Sequence, residues 1–420
     1  MKKFFAIANL FLFALALTIA TGVQLWITGT AVGISTLLIN YAQIPAFTLN
    51  DNVDITAISR YATNFRRQLI STMINGLDIV NSIMVYPGVK NYVKLPKLLV
   101  NEGFRPYSGT TEFGTKKDLV FSDRELKTET GKRELLIDPE DFRPTYFSEM
   151  MQPGSNANKK EIPFAQFVWQ KVIERVQNEV NNRTAYFGFD KADAVAFVGG
   201  DTYSPGDYIT FTQSGRLEYF KKIGAGDTTA GQSPDTHPAL WQNVTAEAVV
   251  KGIGTIIAEE ITGANVAPVS TGVIDNTSGK EAVNAMLELY RAMPTPIKNA
   301  GVIIHASYTD YEYLLDDMET NYKYVMHDVS SQLSNGMIPL PKTNRKAMVK
   351  PATWLGDSRR LIANPMVGGK DNNIYLGSDL LSDLNQIATK ENLWTLEAGI
   401  KAVLGFQIAD LDAMRVGDQS

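Results

Sequence analysis

The strongest constraint on this chain is one unbroken periodic stretch, residues 163–188, PFAQFVWQKVIERVQNEVNNRTAYFG. Phe164, Val168, Val172, Val176 and Val180 recur at every fourth position, and Phe167 and Ile173 widen the stripe. Lys171, Glu174, Arg175, Gln177 and Glu179 fill the opposite side. That spacing predicts a single amphipathic helix. Pro163 suits a first helical turn, where its missing N–H has no partner to lose. Gly188 suits the end. A helix of this length spans roughly 35 Å, the width of a small domain, so it acts as a strut and needs a body to brace.

The chain supplies enough residues for that body. It has 420 residues, 44% of them hydrophobic and 20% charged, which bounds it to two or three domains with a sizeable core. The net charge of −5 gives no overall nucleic-acid-binding character. The absence of cysteine excludes a thiol nucleophile, a thiolate metal site and any disulfide. His237, His305 and His327 are too far apart in sequence to suggest a histidine cluster.

Residues 4–50 carry no charged side chain and follow Lys2 and Lys3. Taken alone they suit a signal peptide or a membrane anchor, although LTIATG is a poor cleavage site. Residues 62–85 show helical spacing through Phe65, Leu69, Met73, Leu77 and Val80, ended by Pro87-Gly88. Val93, Leu95, Leu98 and Val100 are strand-like. Residues 118–138, DLVFSDRELKTETGKRELLID, alternate apolar groups with dense mixed charge, and Thr130-Gly131 suggests a hairpin tip. Mixed charge on both faces prevents deep burial within one molecule, so such a ribbon must lie on its own body or reach a neighbour. Residues 152–160 have linker composition.

Beyond the long helix, residues 194–244 place short aromatic strands between Gly, Pro and Asp turns, which predicts a compact β module. Helices are expected over 246–261, 279–293 and 308–318, with Asp310 near the start of the last, where its charge suits the helix dipole. Strands are expected over 301–307, 346–355, 361–365, 372–377 and 393–409. Residues 246–420 therefore form an α+β body without parallel Rossmann order.

No set of residues makes a convincing catalytic or cofactor site. Gly224, Gly226 and Gly231 lack the strand-before, helix-after setting of a phosphate loop. Asp316, Asp317 and Glu319 suit a solvated helix face better than a cation site. His305 lies in an apolar strand and suits a satisfied core histidine. His327, Asp328, Ser330 and Ser331 lack the strained serine turn of a hydrolase. Lys159-Lys160 suits a solvated pair. No catalytic residue, cofactor or metal is expected.

The order of segments resembles the major capsid proteins of tailed bacteriophages, the fold named after phage Hong Kong 97, in the versions found in phages and prophages of Bacteroidetes. SDRELKTETGKRELLIDPEDF resembles that family's extended loop, and residues 163–188 its spine helix. AVNAMLELYRAMP and VIIHASYTDYEYLLDDMETNYKYV resemble its axial domain. MVKPATWLGDSRRLIANPMV, NNIYLGSDL and LWTLEAGIKAVLGFQIADLDAMRV resemble its closing strands. The resemblance implies an N-terminal arm over 51–104, an extended loop over 105–160, a spine over 161–193, the β module over 194–244 and an axial and peripheral body over 245–420. It implies a virion subunit that assembles in the bacterial cytoplasm into hexamers and pentamers around double-stranded DNA. Portal and scaffold or protease proteins are the other implied partners. The charged ribbon residues Arg124, Glu125, Lys127, Lys132, Arg133 and Glu134 would then meet a neighbouring subunit.

Two parts depart from the basic capsid plan. Residues 1–50 are apolar where a charged scaffolding segment is common, which suggests a piece trimmed on maturation or a membrane-directed start. Residues 194–244 resemble small carbohydrate-binding modules of the chitin-binding type, through YSPGDYI, AGQSPDTHPALW and the aromatics. There Tyr203, Tyr219, Phe220 and Trp241 either stack on surface glycans or, for most of them, form the core of a small domain. A surface-anchored carbohydrate-binding protein is the alternative reading of the whole chain.

Overall fold

The computed structural model describes residues 55–65, 69, 72, 76–100, 106–107, 109, 119–138, 163–275, 277, 279–322, 336–379, 387–392 and 395–419. The apolar segment 1–50, the linker 152–160 with Lys159-Lys160, and the group His327, Asp328, Ser330 and Ser331 lie outside them. The fold is mixed α+β.

Two sheets share the main core. The larger is built on β10 (Val302–Ala306), flanked by β12 (Ala347–Pro351) in parallel and β13 (Leu361–Val367) antiparallel. It extends to β11 (Ile338–Pro339) on one side. On the other side lie β14 (Lys370–Asp371), β18 (Arg415–Asp418) and β9 (Val269–Ser270). Every residue of β10 is buried. Val302, Ile304 and Ala306 face α5 (Glu281–Ala292) and α7 (Tyr308–Tyr322), through Val283, Met286, Leu314 and Met318. On the other face, His305 lies beside Ile362, which joins the second core. Coverage on both faces explains why this strand reads as an unbroken apolar run.

The second sheet is organised on β17 (Leu396–Ile408). One edge pairs with β16 (Ile387–Glu391) and then β15 (Ile374–Ser378), which itself pairs with β1 (Met84–Pro87). The other edge pairs with β4 (Glu129–Ile137), in register from Leu396↔Ile137 to Leu404↔Glu129. Thr130 and Gly131 therefore sit inside a strand, opposite Val403 and Ala402, and are not a hairpin tip. The alternation reflects one face of β4 turned to the body, with Gly131, Arg133 and Leu135 half-buried and Ile137 buried.

The long helix α3 runs Pro163–Glu179, widens into a π turn over Val180–Thr184 and closes over Ala185–Phe187. Its inward face differs from the predicted stripe. Trp169 and Ile173 are buried, while Val168, Val172 and Val176 are half-buried and Phe167 is 39% exposed. The spacing 169, 173, 176, 180 follows 3.6 residues per turn, and the indole supplies more apolar surface than the valines do. The first part of α3 packs on α1 (Ile55–Asn64), which rests on β16. Only its last turns, with Val180, Ala185 and Tyr186, enter the core with Trp354, Leu376 and Phe406. The π turn is anchored by the Thr184 hydroxyl, which donates to Ala246 O at 2.7 Å.

Gly188 ends the helix for a spatial reason. A Cβ there would stand 2.1 Å from Val250 O and 2.5 Å from Thr184 O, because the chain leading to α4 (Ile253–Thr262) crosses directly over it. The Gly252 N–H donates to Gly188 O at 2.8 Å across that crossing.

Three polar residues take roles other than those expected or beyond them. Asp317 is buried rather than solvated, and its carboxylate accepts from Val283 N–H at 3.1 Å, capping α5. Burial pushes this carboxyl up, even though those backbone hydrogen bonds favour its charge. Asp310 is also buried. Its N–H donates to Ser307 Oγ at 3.1 Å in a capping arrangement, and its carboxylate takes Arg359. His305 Nε2 lies 3.0 Å from Asp371 Oδ2, and Asp371 also accepts from Asn364, Asn373 and Ile374, which ties the two sheets through one buried polar group.

The burial pattern sets an expectation for equilibrium unfolding. Trp169→Ala costs ~3–5 kcal/mol in urea denaturation, while exposed Phe167→Ala stays within ~0.5 kcal/mol. Equal costs would contradict the inward face described.

Candidate assembly surface

The elements that form this surface begin with a two-stranded ribbon. β2 (Tyr92–Val100) and β3 (Leu119–Lys127) pair antiparallel from Tyr92↔Lys127 to Val100↔Leu119. Among the described residues no third strand pairs with either one. β3 passes through Thr128 directly into β4, so one extended segment serves the ribbon first and the body sheet second. The inward parity changes at this corner. Leu126 and Thr128 are buried in the ribbon base, then Ile137 at the far end of β4. Thr128 fixes the corner, its N–H donating to Asn91 O at 2.9 Å.

The base of the ribbon is bound to its own chain. Leu95, Leu126 and Val89 pack with Tyr375. Lys97 Nζ bridges Asp410 Oδ1 at 2.5 Å and Asp412 Oδ2 at 2.6 Å. Partial burial opposes the Lys97 charge, but the hydrogen bonds to Asp410 and Asp412 outweigh it and hold the ammonium above its usual pKa. Arg124 pairs with Glu260 of α4 at 2.7 Å and donates to Gln407 Oε1 at 3.1 Å. Burial opposes the charge on Glu260, yet hydrogen bonds from Arg124 and Asn265 hold its carboxyl below the usual value.

The far end is different. Leu98 pairs with Phe121, Leu99 with Val120 and Val100 with Leu119. Successive strand residues point to opposite faces, so both faces of this end are apolar. Phe121 is 73% exposed and Val100 59%. An exposed apolar ribbon end, unpaired along its edges among the described residues, has the character of an association surface.

The six charged positions expected to meet a neighbour divide into two groups. Arg124 and Arg133 are committed inward, Arg133 to Glu179 of the long helix at 2.8 Å. Lys127 pairs with Glu129 at 2.8 Å, and Lys132 with Glu134 at 2.8 Å on the exposed face of β4. Glu125 is exposed, and its carbonyl accepts from Gln407 Nε2 at 2.8 Å. In the sequence, the dense mixed charge of residues 118–138 masks this apolar end. The consecutive apolar letters of LLV and LVF, unlike the alternation of a half-buried strand, were the available signal.

The β module holds the aromatics. β5 (Val195–Ala196), β6 (Tyr208–Gln213), β7 (Arg216–Lys222) and β8 (Trp241–Asn243) form its sheet. Tyr203, Phe220 and Trp241 are each 5% exposed and pack together with Ile209, Phe197 and Phe211. The indole N–H of Trp241 donates to Gln232 O at 3.0 Å. Buried in this way, the three rings have no face free to stack on a sugar. Tyr219 is half-buried, edge-on to Phe189. Among the described residues no group of three or more His, Asp or Glu side chains is placed to hold a metal ion, and no helix is long and apolar enough to cross a membrane.

No protein-family model and no curated protein matches the sequence. Solved structures similar to this chain include the procapsid of satellite phage P4 with its size determination protein. That similarity has 11% identity and a TM-score of 0.44, over 84% of this chain and 99% of that one. The capsid of Myoviridae phage XM1 is similar at 12% identity and a TM-score of 0.42, over 81% and 91%. A virus-like particle from Pyrococcus furiosus is similar at 8% identity and a TM-score of 0.38, over 84% and 98%. Likeness at this level assigns no function by itself.

The Arg124–Glu260 tether predicts a pH response. A carboxyl held below its ordinary value of 4.5 stabilises the fold above that pH and loses the contribution as pH falls through its lower folded value. Hydrogen exchange in residues 119–127, corrected for intrinsic rate, should rise as pH drops below 4.5, and Glu260→Gln should remove that pH dependence. A response unchanged in Glu260→Gln would assign it to another group.

Proposed function

We propose that this protein is a structural capsid subunit, self-assembling into hexamers and pentamers that enclose double-stranded DNA. The observation that carries the reading is the ribbon formed by β2 and β3. Its base is fixed to the body by packing and ion pairs, while its end exposes apolar residues on both faces. A second copy of the chain is the partner that covers such an end at every position of a closed lattice. The order of segments in the sequence supports the same reading, since the capsid resemblance implies an extended loop lying over the adjacent subunit.

On this reading α3 is the spine, the sheet around β10 with α5 and α7 is the axial domain, and the sheet around β17 is the peripheral part. The resemblance to capsid proteins of Bacteroidetes phages and prophages carries the finer expectations. These are a virion location, assembly in the bacterial cytoplasm, and portal and scaffold or protease proteins as partners. The apolar residues 1–50 depart from that plan, and on this reading they are a piece trimmed on maturation or a membrane-directed start. The net charge of −5 suits a shell that confines DNA without reading its sequence.

Negative-stain microscopy and sedimentation of the purified chain test the reading. Closed shells or capsomers are expected. Phe121→Asp combined with Leu99→Asp should leave far-UV circular dichroism unchanged and abolish assembly, since both side chains are exposed in the single chain. A wild-type chain that stays monomeric at high concentration, or a double variant that still assembles, would overturn it.

A further inference from the structure

A cleft of ≈ 560 Å³ lies where the end of the long helix, the β module and β18 meet. Its volume falls among small-ligand sites, about 300–1,000 Å³. The ribbon and the aromatic cluster of the module take no part in it. Its walls hold charged groups, and two of them, Glu247 and Lys221, have side chains without a hydrogen-bond partner among the described residues.

Glu247 is the first of these. Its side chain is 9% exposed, and its nearest cation is Arg183, with Nε 3.9 Å away. Among the described residues nothing donates a hydrogen bond to its carboxylate. Burial pushes this carboxyl up, against the pull of Arg183 and Lys221. Lys221 is the second. Its ammonium lies 5.3 Å from the centre of the Tyr208 ring and forms no ion pair within 4.0 Å among the described residues. Arg360 is the third; it holds the Tyr186 hydroxyl and has Asp418 at 4.0 Å, which leaves further guanidinium N–H groups for a ligand. The neighbouring Arg359 is already committed to Asp310.

We propose that this cleft binds a small polyhydroxylated ligand of the sugar class, with Glu247 accepting from its hydroxyls and Lys221 and Arg360 donating to its oxygens. Other ligand chemistries satisfy only part of the wall. An inorganic anion would suit Lys221 and Arg360 but place like charge beside Glu247 and Asp418. A metal cation would suit the carboxylates and be repelled by the two basic groups. An apolar molecule would displace the water around Glu247 and Lys221 and offer them no hydrogen bond in return. A hydroxyl both donates and accepts, so a single polyol serves carboxylate and cation together. Recognition here is polar rather than by ring stacking, because Tyr208 is already stacked on Phe189, with ring centres 4.0 Å apart. The site is complete within one chain and does not depend on the assembly reading.

The test uses the full chain with glucose, N-acetylglucosamine and maltose as probes, and phosphate, magnesium and glycine as comparisons. Saturation-transfer NMR detects binding and calorimetry measures it. At least one sugar is expected to bind at concentrations up to about 10 mM. Glu247→Gln keeps the side-chain shape and should weaken binding about tenfold or more, with Lys221→Met weakening it severalfold and circular dichroism unchanged in both. No sugar binding, sugar binding equal in wild type and both variants, or binding of only phosphate, magnesium or glycine would each overturn the proposal.

Discussion

The ladder between β4 and β17 is the interaction on which the rest of the structure depends. β17 carries β15 and β16 along one edge and β4 along the other, so its backbone donors and acceptors are used on both sides. β4 is continuous with β3, and β3 is half of the ribbon. The same ladder therefore closes the body sheet and fixes the root of the segment that leaves it. A ribbon of two strands is marginal alone in water. Here it is held to the body by Leu95, Leu126, Lys97 and Arg124.

The long helix depends on a second constraint, the close crossing of two backbones. Gly188 and Gly252 let the chain pass over the end of α3 at hydrogen-bond distance. That crossing points the helix into the shared core and sets the β module at its end, where Phe189 stacks on Tyr208. The cleft containing Glu247 and Lys221 is a consequence of this placement, since its walls come from the module, the crossing and the last strand.

The polar interior follows the same economy. Asp317 caps one helix from another, Asp310 binds Ser307 and Arg359, and Asp371 gathers His305 with two asparagines. Each lies between elements far apart in sequence. Buried polar groups need partners, so these residues specify how the layers meet rather than adding net stability. Glu247 differs from these three: it is buried at the wall of a cleft, with Arg183 at 3.9 Å as its nearest cation.

Periodicity made much of this legible. The unbroken apolar run at 302–306 marked a doubly covered strand, and the amphipathic stretch from Pro163 marked the long helix, because burial imposes those patterns on any chain. The aromatic turns of 194–244 marked a separate sheet for the same reason. What the sequence could not decide was which partner each surface meets. Thr130-Gly131 has the letters of a turn, yet tertiary pairing with Ala402 and Val403 makes it strand, because a ladder partner nearly three hundred positions away outweighs local turn preference. Trp169 and Ile173 face inward where Val168 and Val172 are only half-buried, because burial rewards the larger apolar area. Arg124 and Arg133 turned inward because Glu260 and Glu179 stand opposite them, and the lettering of their own segment holds no sign of either. The cleft of Glu247, Lys221 and Arg360 is wholly tertiary, since no local pattern joins three positions brought together only by the crossing at Gly188.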